Sequence, residues 1–142
     1  MSILWNGCGG SSERELARAV SNDGVIEARM VDVVGRPLGA LSHIVYRVYV
    51  GERGGRDVRG IRVCSILDPG PTGLAWRRPD SLVIWCYKGA TVRQVRRRAA
   101  IRTLAGGWQR VKVSVVMGEP PVDCVSVSGP WERSGSGTAE HR

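Results

Sequence analysis

Alternation of apolar and polar residues with a period of two recurs along this chain and limits the fold more than any other feature. From Arg110 to Met117, three valines and the methionine lie on one face, and arginine, lysine and serine lie on the other. Such a pattern is typical of a half-buried β-strand. His43–Val50 alternates in the same way. Ser81–Tyr87 is apolar on both faces, which predicts a central strand covered on both sides.

Three further β-branched runs predict strands, at Val25–Val34, Val58–Leu67 and Val122–Ser128. Asp68–Gly73 contains two prolines and two glycines, a composition that defeats both helix and strand. We therefore expect a loop there.

Two segments predict helices instead. Ser11–Ser21 carries Ser12 and Glu15 at the spacing of a capping box. Thr91–Ala105 is rich in arginine and alanine and is followed by a glycine pair, as helix ends often are. The sequence thus predicts an α+β fold: a mostly antiparallel sheet, with an N-terminal helix and one arginine-rich helix packed on one face.

The length of 142 residues fits one domain with a substantial core. We expect this domain over residues 1–128. Residues 129–142 have the composition of a disordered tail.

Positive charge is concentrated in a quarter of the sequence. The chain carries a formal net charge of +8, and the stretch from Trp76 to Lys112 alone holds ten basic residues and the single acid Asp80. This stretch therefore carries +9 and leaves −1 for the other 105 residues. The basic residues are Arg77, Arg78, Lys88, Arg93, Arg96, Arg97, Arg98, Arg102, Arg110 and Lys112. Such a concentration indicates attraction to a polyanion.

Nineteen of the 21 basic residues are arginines, whose planar guanidinium binds phosphate in a bidentate manner. A biased base composition of the coding sequence also favours arginine, but it would spread arginine along the whole chain. A solvated basic face without a ligand is the other alternative.

Aromatic residues lie among these charges. Trp76 and Trp108 flank turns and are candidates to stack on bases, while Trp85 lies in the most apolar run and is expected in the core.

Residues 89–104 resemble the second helix of double-stranded-RNA-binding domains. A glycine opens the segment, Arg93 and Arg96 fall where that family has phosphate-contacting lysines, and Ala99 and Ala100 match its alanine pair. Val92 replaces the family's first lysine. The resemblance implies contact with A-form RNA across the minor groove.

Other classes of protein have little support. The four cysteines are far apart, so we expect neither a zinc site nor another cofactor. No P-loop, dinucleotide-binding or nucleophile motif occurs, and Asp32, Asp68 and Asp80 fit turns better than a metal centre. The N-terminus lacks the pattern of a signal peptide, and no apolar run reaches the length of a membrane span. We expect an intracellular protein in a reducing compartment.

The sequence therefore predicts a non-enzymatic nucleic-acid-binding protein that favours RNA. Its site would comprise the ten basic residues above with Trp76 and Trp108, and the arginine-rich helix would contact phosphates. The alternative is a small basic structural or assembly protein, similar to viral matrix proteins, that binds acidic membrane or a nucleocapsid.

Overall fold

Ten β-strands form the regular structure of the described part of the protein. The computed structural model describes residues 11–35, 44–54 and 60–128, and within these ranges it contains no helix. In chain order the strands are β1 (Ser11–Val20), β2 (Ile26–Gly35), β3 (Val45–Glu52), β4 (Ile61–Leu67), β5 (Thr72–Arg78), β6 (Ser81–Cys86), β7 (Thr91–Arg93), β8 (Arg98–Arg102), β9 (Trp108–Met117) and β10 (Val125–Val127).

The strands form two five-stranded sheets. Sheet A has the order β1-β2-β3-β4-β7, and sheet B has the order β10-β5-β6-β9-β8. Neighbouring strands are antiparallel except β6 and β9, which are parallel and are joined by a crossover through β7 and β8. This crossover carries the chain from sheet B to the edge of sheet A and back.

One apolar core lies between the two sheets. Alternate residues of each strand enter it, as in β6, where Leu82, Ile84 and Cys86 have no exposed surface. Sheet A contributes residues such as Tyr46 and Val48 to the same cluster. The arrangement is a β-sandwich, in which each sheet keeps one face for the core and turns the other to solvent.

The predicted α+β class is wrong, because both expected helices are strands. Ser11–Ser21 forms β1, which pairs with β2 along its whole length. A β-bulge between Glu15 and Ala17 shifts the register. An extra residue at a bulge interrupts the period of two, so the sequence of β1 does not alternate and imitates a short helix.

The arginine-rich helix expected over Thr91–Ala105 is also absent, since this segment forms β7, a crossover and β8. Gln94 has a φ of 58°, a left-handed conformation that ends any right-handed helix. In β8, Ala99 and Ile101 are buried, whereas Arg98, Ala100 and Arg102 are exposed. The glycine pair that resembled a helix end forms the β8–β9 turn, where Gly106 has a φ of 96°.

Five predicted strands are confirmed with small changes of their ends, and they correspond to β2, β3, β4, β6 and β9. The strand predicted at Val122–Ser128 shortens to β10. Strand β5 was not predicted, and it begins at Thr72 inside the expected loop. Strand β6 is central in sheet B, but its outer side chains are only partly buried, so it is covered fully on one face alone.

In residues 11–35, 44–54 and 60–128 no helix is long and apolar enough to cross a membrane. The expected tail at 129–142 lies outside the described residues.

Candidate nucleic-acid interface

The strands of sheet B contain cations and no carboxylate. Their sequences include six basic residues and neither aspartate nor glutamate, which gives this sheet a formal charge of +6. The strands of sheet A contain six arginines and five carboxylates, a net charge of +1. The asymmetry that the sequence showed along the chain therefore becomes an asymmetry between the two sheets.

Strand register places three of these cations in one line across sheet B. Arg98 of β8 lies opposite Lys112 of β9, which lies beside Ser81 of β6, and Ser81 pairs in turn with Arg78 of β5. Neighbouring strands are about 4.8 Å apart, so the line of residues spans roughly 14 Å. Such a line suits a charged ligand that lies across the strands.

Two further cations extend this surface along β8 and β9. Arg110 pairs with Ala100, and Arg102 pairs with Trp108, all on the solvent side of the sheet. We call the surface formed by Arg78, Arg98, Arg102, Arg110 and Lys112 the basic face. Within the described part of the chain, none of these five side chains forms an ion pair with a carboxylate. The only acid in the charged stretch of the sequence, Asp80, lies in the β5–β6 turn and accepts a hydrogen bond from the Ser81 hydroxyl.

Arg77, the sixth cation of sheet B, is already partnered. Its Nη1 lies 3.2 Å from Asp123 Oδ2, and its Cζ lies 5.1 Å from the centroid of the Trp85 ring. The Arg77 guanidinium holds the pKa of the Asp123 carboxyl below its usual value through a hydrogen bond and charge attraction. Arg77 is therefore less available to a ligand than the basic face.

Three of the predicted site residues border the basic face at the edge where β7 passes to β8. Arg93, Arg96 and Arg97 are all exposed there, and we call them the basic edge. Their backbone is fixed, because Arg96 N–H donates to Val63 O at 2.7 Å and Val113 N–H donates to Arg97 O at 2.8 Å. The basic edge thus links the basic face to the end of sheet A.

Two predicted residues do not join this surface. Lys88 lies in the turn after β6, beside Tyr87 and Met117. Trp76 is only 8% exposed, and its indole N–H donates to Ala19 O of sheet A at 2.9 Å. The structure therefore assigns Trp76 to the core, and the stacking role predicted for it does not fit.

Trp108, unlike Trp76, is exposed at the basic face. Its side chain is 65% exposed, and Arg102 Cζ lies 5.8 Å from the centroid of its ring. Next to it, in the β8–β9 turn, Leu104 is 89% exposed. The helix predicted over Thr91–Ala105 includes Leu104, so the sequence does not indicate an exposed turn at this residue.

A groove of about 620 Å³ lies at this end of the sandwich, between the β8–β9 hairpin and the ends of β3 and β4. Trp108, Arg102 and Leu104 line one side of it. Glu52 lies on the other side and anchors the hairpin, since its carboxylate accepts the Leu104 N–H at 3.0 Å. The contact fixes the backbone of the turn while leaving the Leu104 side chain in solvent.

The outer face of sheet A has a different character. Three arginines and three glutamates meet there, and they pair with one another. Arg18 Nη2 lies 2.7 Å from Glu15 Oε1, Arg18 also contacts Glu27, and Glu15 reaches Arg29 as well. Arg47 pairs with Glu13 at 3.2 Å. This face is compensated internally, so it has little net attraction for a polyanion.

The buried cysteines do not suggest a reactive site. Burial raises the pKa of the Cys64 thiol to about 12 and that of Cys86 to about 11. Thiols in this state are poor nucleophiles at neutral pH. Among the described residues, no group of three or more His, Cys, Asp and Glu side chains is placed to hold a metal ion.

Comparison with known proteins finds no matching family model, no matching curated protein and no matching solved structure. The resemblance of residues 89–104 to double-stranded-RNA-binding domains stays a prediction, although this segment contains no helix. The chemistry of the two outer faces is the basis for a proposed function.

Proposed function

We propose that the protein is a non-enzymatic nucleic-acid-binding protein, with RNA the favoured ligand, which contacts phosphates through the basic face and the basic edge. The observation that carries the proposal is the charge of sheet B, with six cations and no carboxylate in its strands. Guanidinium groups that are exposed and unpaired are suited to charge-assisted, bidentate bonds with phosphate.

Mutual repulsion supports a ligand for this surface. Arg98 and Lys112 lie directly opposite each other on adjacent strands, an arrangement that destabilises a sheet. In sheet A, Arg18 also lies directly opposite Arg29, but Glu15 pairs with both of these arginines. The strands of sheet B contain no carboxylate that could neutralise their cations, whereas a bound phosphate backbone would do so.

The compartment is part of the same proposal. The described cysteines Cys64, Cys86 and Cys124 are free thiols, as is usual in a reducing, intracellular environment.

One observation favours a second candidate function, the binding of acidic membrane surfaces by a small basic assembly protein. Leu104 is 89% exposed at the tip of the β8–β9 hairpin, beside Trp108 and Arg102. An exposed leucine and tryptophan next to a cation are also found where proteins enter the lipid interface. One set of binding measurements distinguishes the two candidate functions.

The test is a binding panel of single- and double-stranded RNA and DNA, together with vesicles rich in acidic lipid, at 50 and 200 mM salt. With about five to eight phosphate contacts, affinity for nucleic acid should fall on the order of a hundredfold or more over this range, because counterions are released on binding. Affinity that does not depend on salt would contradict the proposal.

The substitution Leu104→Ser distinguishes nucleic-acid binding from membrane binding. Phosphate contacts do not involve this side chain, so binding of nucleic acid should stay within about twofold of the original protein. Vesicle binding that is tighter than binding to any nucleic acid, and that is lost in Leu104→Ser, would favour the membrane function instead.

A further inference from the structure

Trp108 is the most exposed aromatic side chain among the described residues, at 65%, and it lies beside the unpaired cations of the basic face. On β9 it occupies the same outer side as Arg110 and Lys112, since the buried residues Val111 and Val113 fix the alternation of this strand. Its strand neighbour Arg102 packs on the ring. An exposed indole costs hydration free energy unless a partner covers it.

Trp85 is the internal contrast, because it lies on the same outer face but is already covered. Arg77 packs on its ring, and Asp123 holds Arg77 in place by an ion pair. Arg102, which packs on Trp108, has no such anchor among the described residues, so it can move aside or bind a phosphate. Of the two tryptophans on this face, only Trp108 offers an open ring surface.

The chemistry that fits an open indole beside unpaired guanidinium groups is an unpaired base with its phosphate. Every base has a flat π-surface that stacks on an aromatic ring, while arginines neutralise the phosphate next to it. Bases in a duplex are paired and stacked on each other, so they are not free to lie on a ring that projects from the face of a sheet. Stacking on Trp108 would therefore require a single strand.

We propose that Trp108 stacks on an unpaired base and thereby makes the protein selective for single-stranded over double-stranded nucleic acid. This inference rests on the proposed function and adds the class of ligand to it. Arg102 and Arg110, which flank Trp108 on the outer side, contact the phosphates adjacent to the stacked base. The line of Arg98, Lys112 and Arg78 contacts the phosphates beyond them.

The experiment compares the original protein with Trp108→Phe and Trp108→Leu on a 12-nucleotide single strand and on the duplex of the same sequence, at one salt concentration. Because a stacked base is worth about 1–3 kcal/mol, Trp108→Leu should weaken single-strand binding by about 5- to 150-fold. Duplex binding should change less than about twofold. Trp108→Phe should keep most of the single-strand affinity, since phenylalanine retains an aromatic face.

Arg98→Gln, which removes a cation of the basic face away from Trp108, serves as the control for charge, and it should weaken the binding of single strand and duplex to a similar extent. Thermal unfolding of each variant confirms that the exposed substitutions leave the sandwich folded. Two outcomes would overturn the stacking inference and leave the proposed function standing. One is that Trp108→Leu loses the same affinity for single strand and for duplex. The other is that Trp108→Phe and Trp108→Leu weaken single-strand binding equally. A protein that binds neither form of nucleic acid would overturn both.

Discussion

Glu15 organises the charges on the outer face of sheet A. Its carboxylate contacts Arg18 at 2.7 Å and the nearly buried Arg29 at 3.4 Å. The hydrogen bond from Arg18, followed by the attraction of both guanidinium groups, lowers the pKa of Glu15 below its usual value despite some desolvation. A carboxyl with a depressed pKa stabilises the fold above its unfolded pKa, about 4.3, and loses this contribution as the pH falls through the folded pKa.

Glu15→Gln should therefore destabilise the protein at pH 7 and have much less effect near pH 3. We expect a loss of about 1 kcal/mol in the free energy of unfolding, since about a third of the Glu15 side chain is open to solvent and screening weakens the pair. Urea unfolding at both pH values measures the difference. Glu119→Gln, at an exposed carboxylate without a hydrogen bond among the described residues, is the control. The account would be contradicted if Glu15→Gln lowered the free energy of unfolding by the same amount at both pH values.

The tryptophans show where single residues cannot be predicted from their neighbours in sequence. Trp76 and Trp108 both stand close to arginine and to a turn, and the sequence treats them alike. Trp76 is buried because β1, more than fifty residues away, supplies the Ala19 carbonyl that its indole N–H needs. No local signal reports a contact of this kind.

Among the elements, β8 and β9 combine a structural cost with the proposed function. Arg98 and Lys112 repel each other across the ladder. Arg98→Glu should replace this repulsion by an attraction, which raises the free energy of unfolding by about 0.5–1 kcal/mol. The same change should weaken nucleic-acid binding at least tenfold, because it removes one cation and adds an anion on the basic face.

A double-mutant cycle checks this prediction. In Arg98→Glu/Lys112→Glu the two residues again carry like charges, so the added stability should disappear while binding weakens further. Urea unfolding and RNA titration of the four proteins give both quantities. If Arg98→Glu instead lowered the free energy of unfolding, Arg98 would have a favourable structural role.

Elements with clean alternation could be predicted, and those with interrupted alternation could not. Strands β3 and β9 follow the period of two closely enough to be found with ends shifted by about two residues. Strand β1 contains a bulge, and the β7–β8 segment contains the left-handed Gln94, so each breaks the pattern within a few residues. In the β7–β8 segment, Ala99 and Ile101 are two residues apart and share a buried face, which a strand allows and a helix does not.

For the whole molecule, the candidate site corresponds to a stretch of sequence that concentrates positive charge. The concentration of charge between Trp76 and Lys112 depends on composition alone, so it did not need a correct secondary structure. What the sequence could not provide was the division of those residues into a basic face, a basic edge, a partnered Arg77 and a separate Lys88. That division depends on strand register and on the parallel pairing of β6 with β9.

The salt dependence of binding in two matched double variants tests the central claim most directly. Arg98→Gln/Arg110→Gln removes two charges from the basic face, and Arg14→Gln/Arg53→Gln removes two exposed charges from β1 and from the turn after β3. Both lower the formal net charge from +8 to +6. A general effect of net charge is therefore the same in each.

On a 12-nucleotide single-stranded RNA, the basic-face variant should bind at least tenfold more weakly. Its plot of log affinity against log salt should flatten by about 1.4, because each lost contact to a single strand contributes about 0.7 to the slope. The Arg14→Gln/Arg53→Gln variant should keep its slope and bind within about twofold of the original protein. Equal changes in affinity and slope for the two variants would mean that net charge alone attracts the nucleic acid, and would contradict the assignment of binding to the outer face of sheet B.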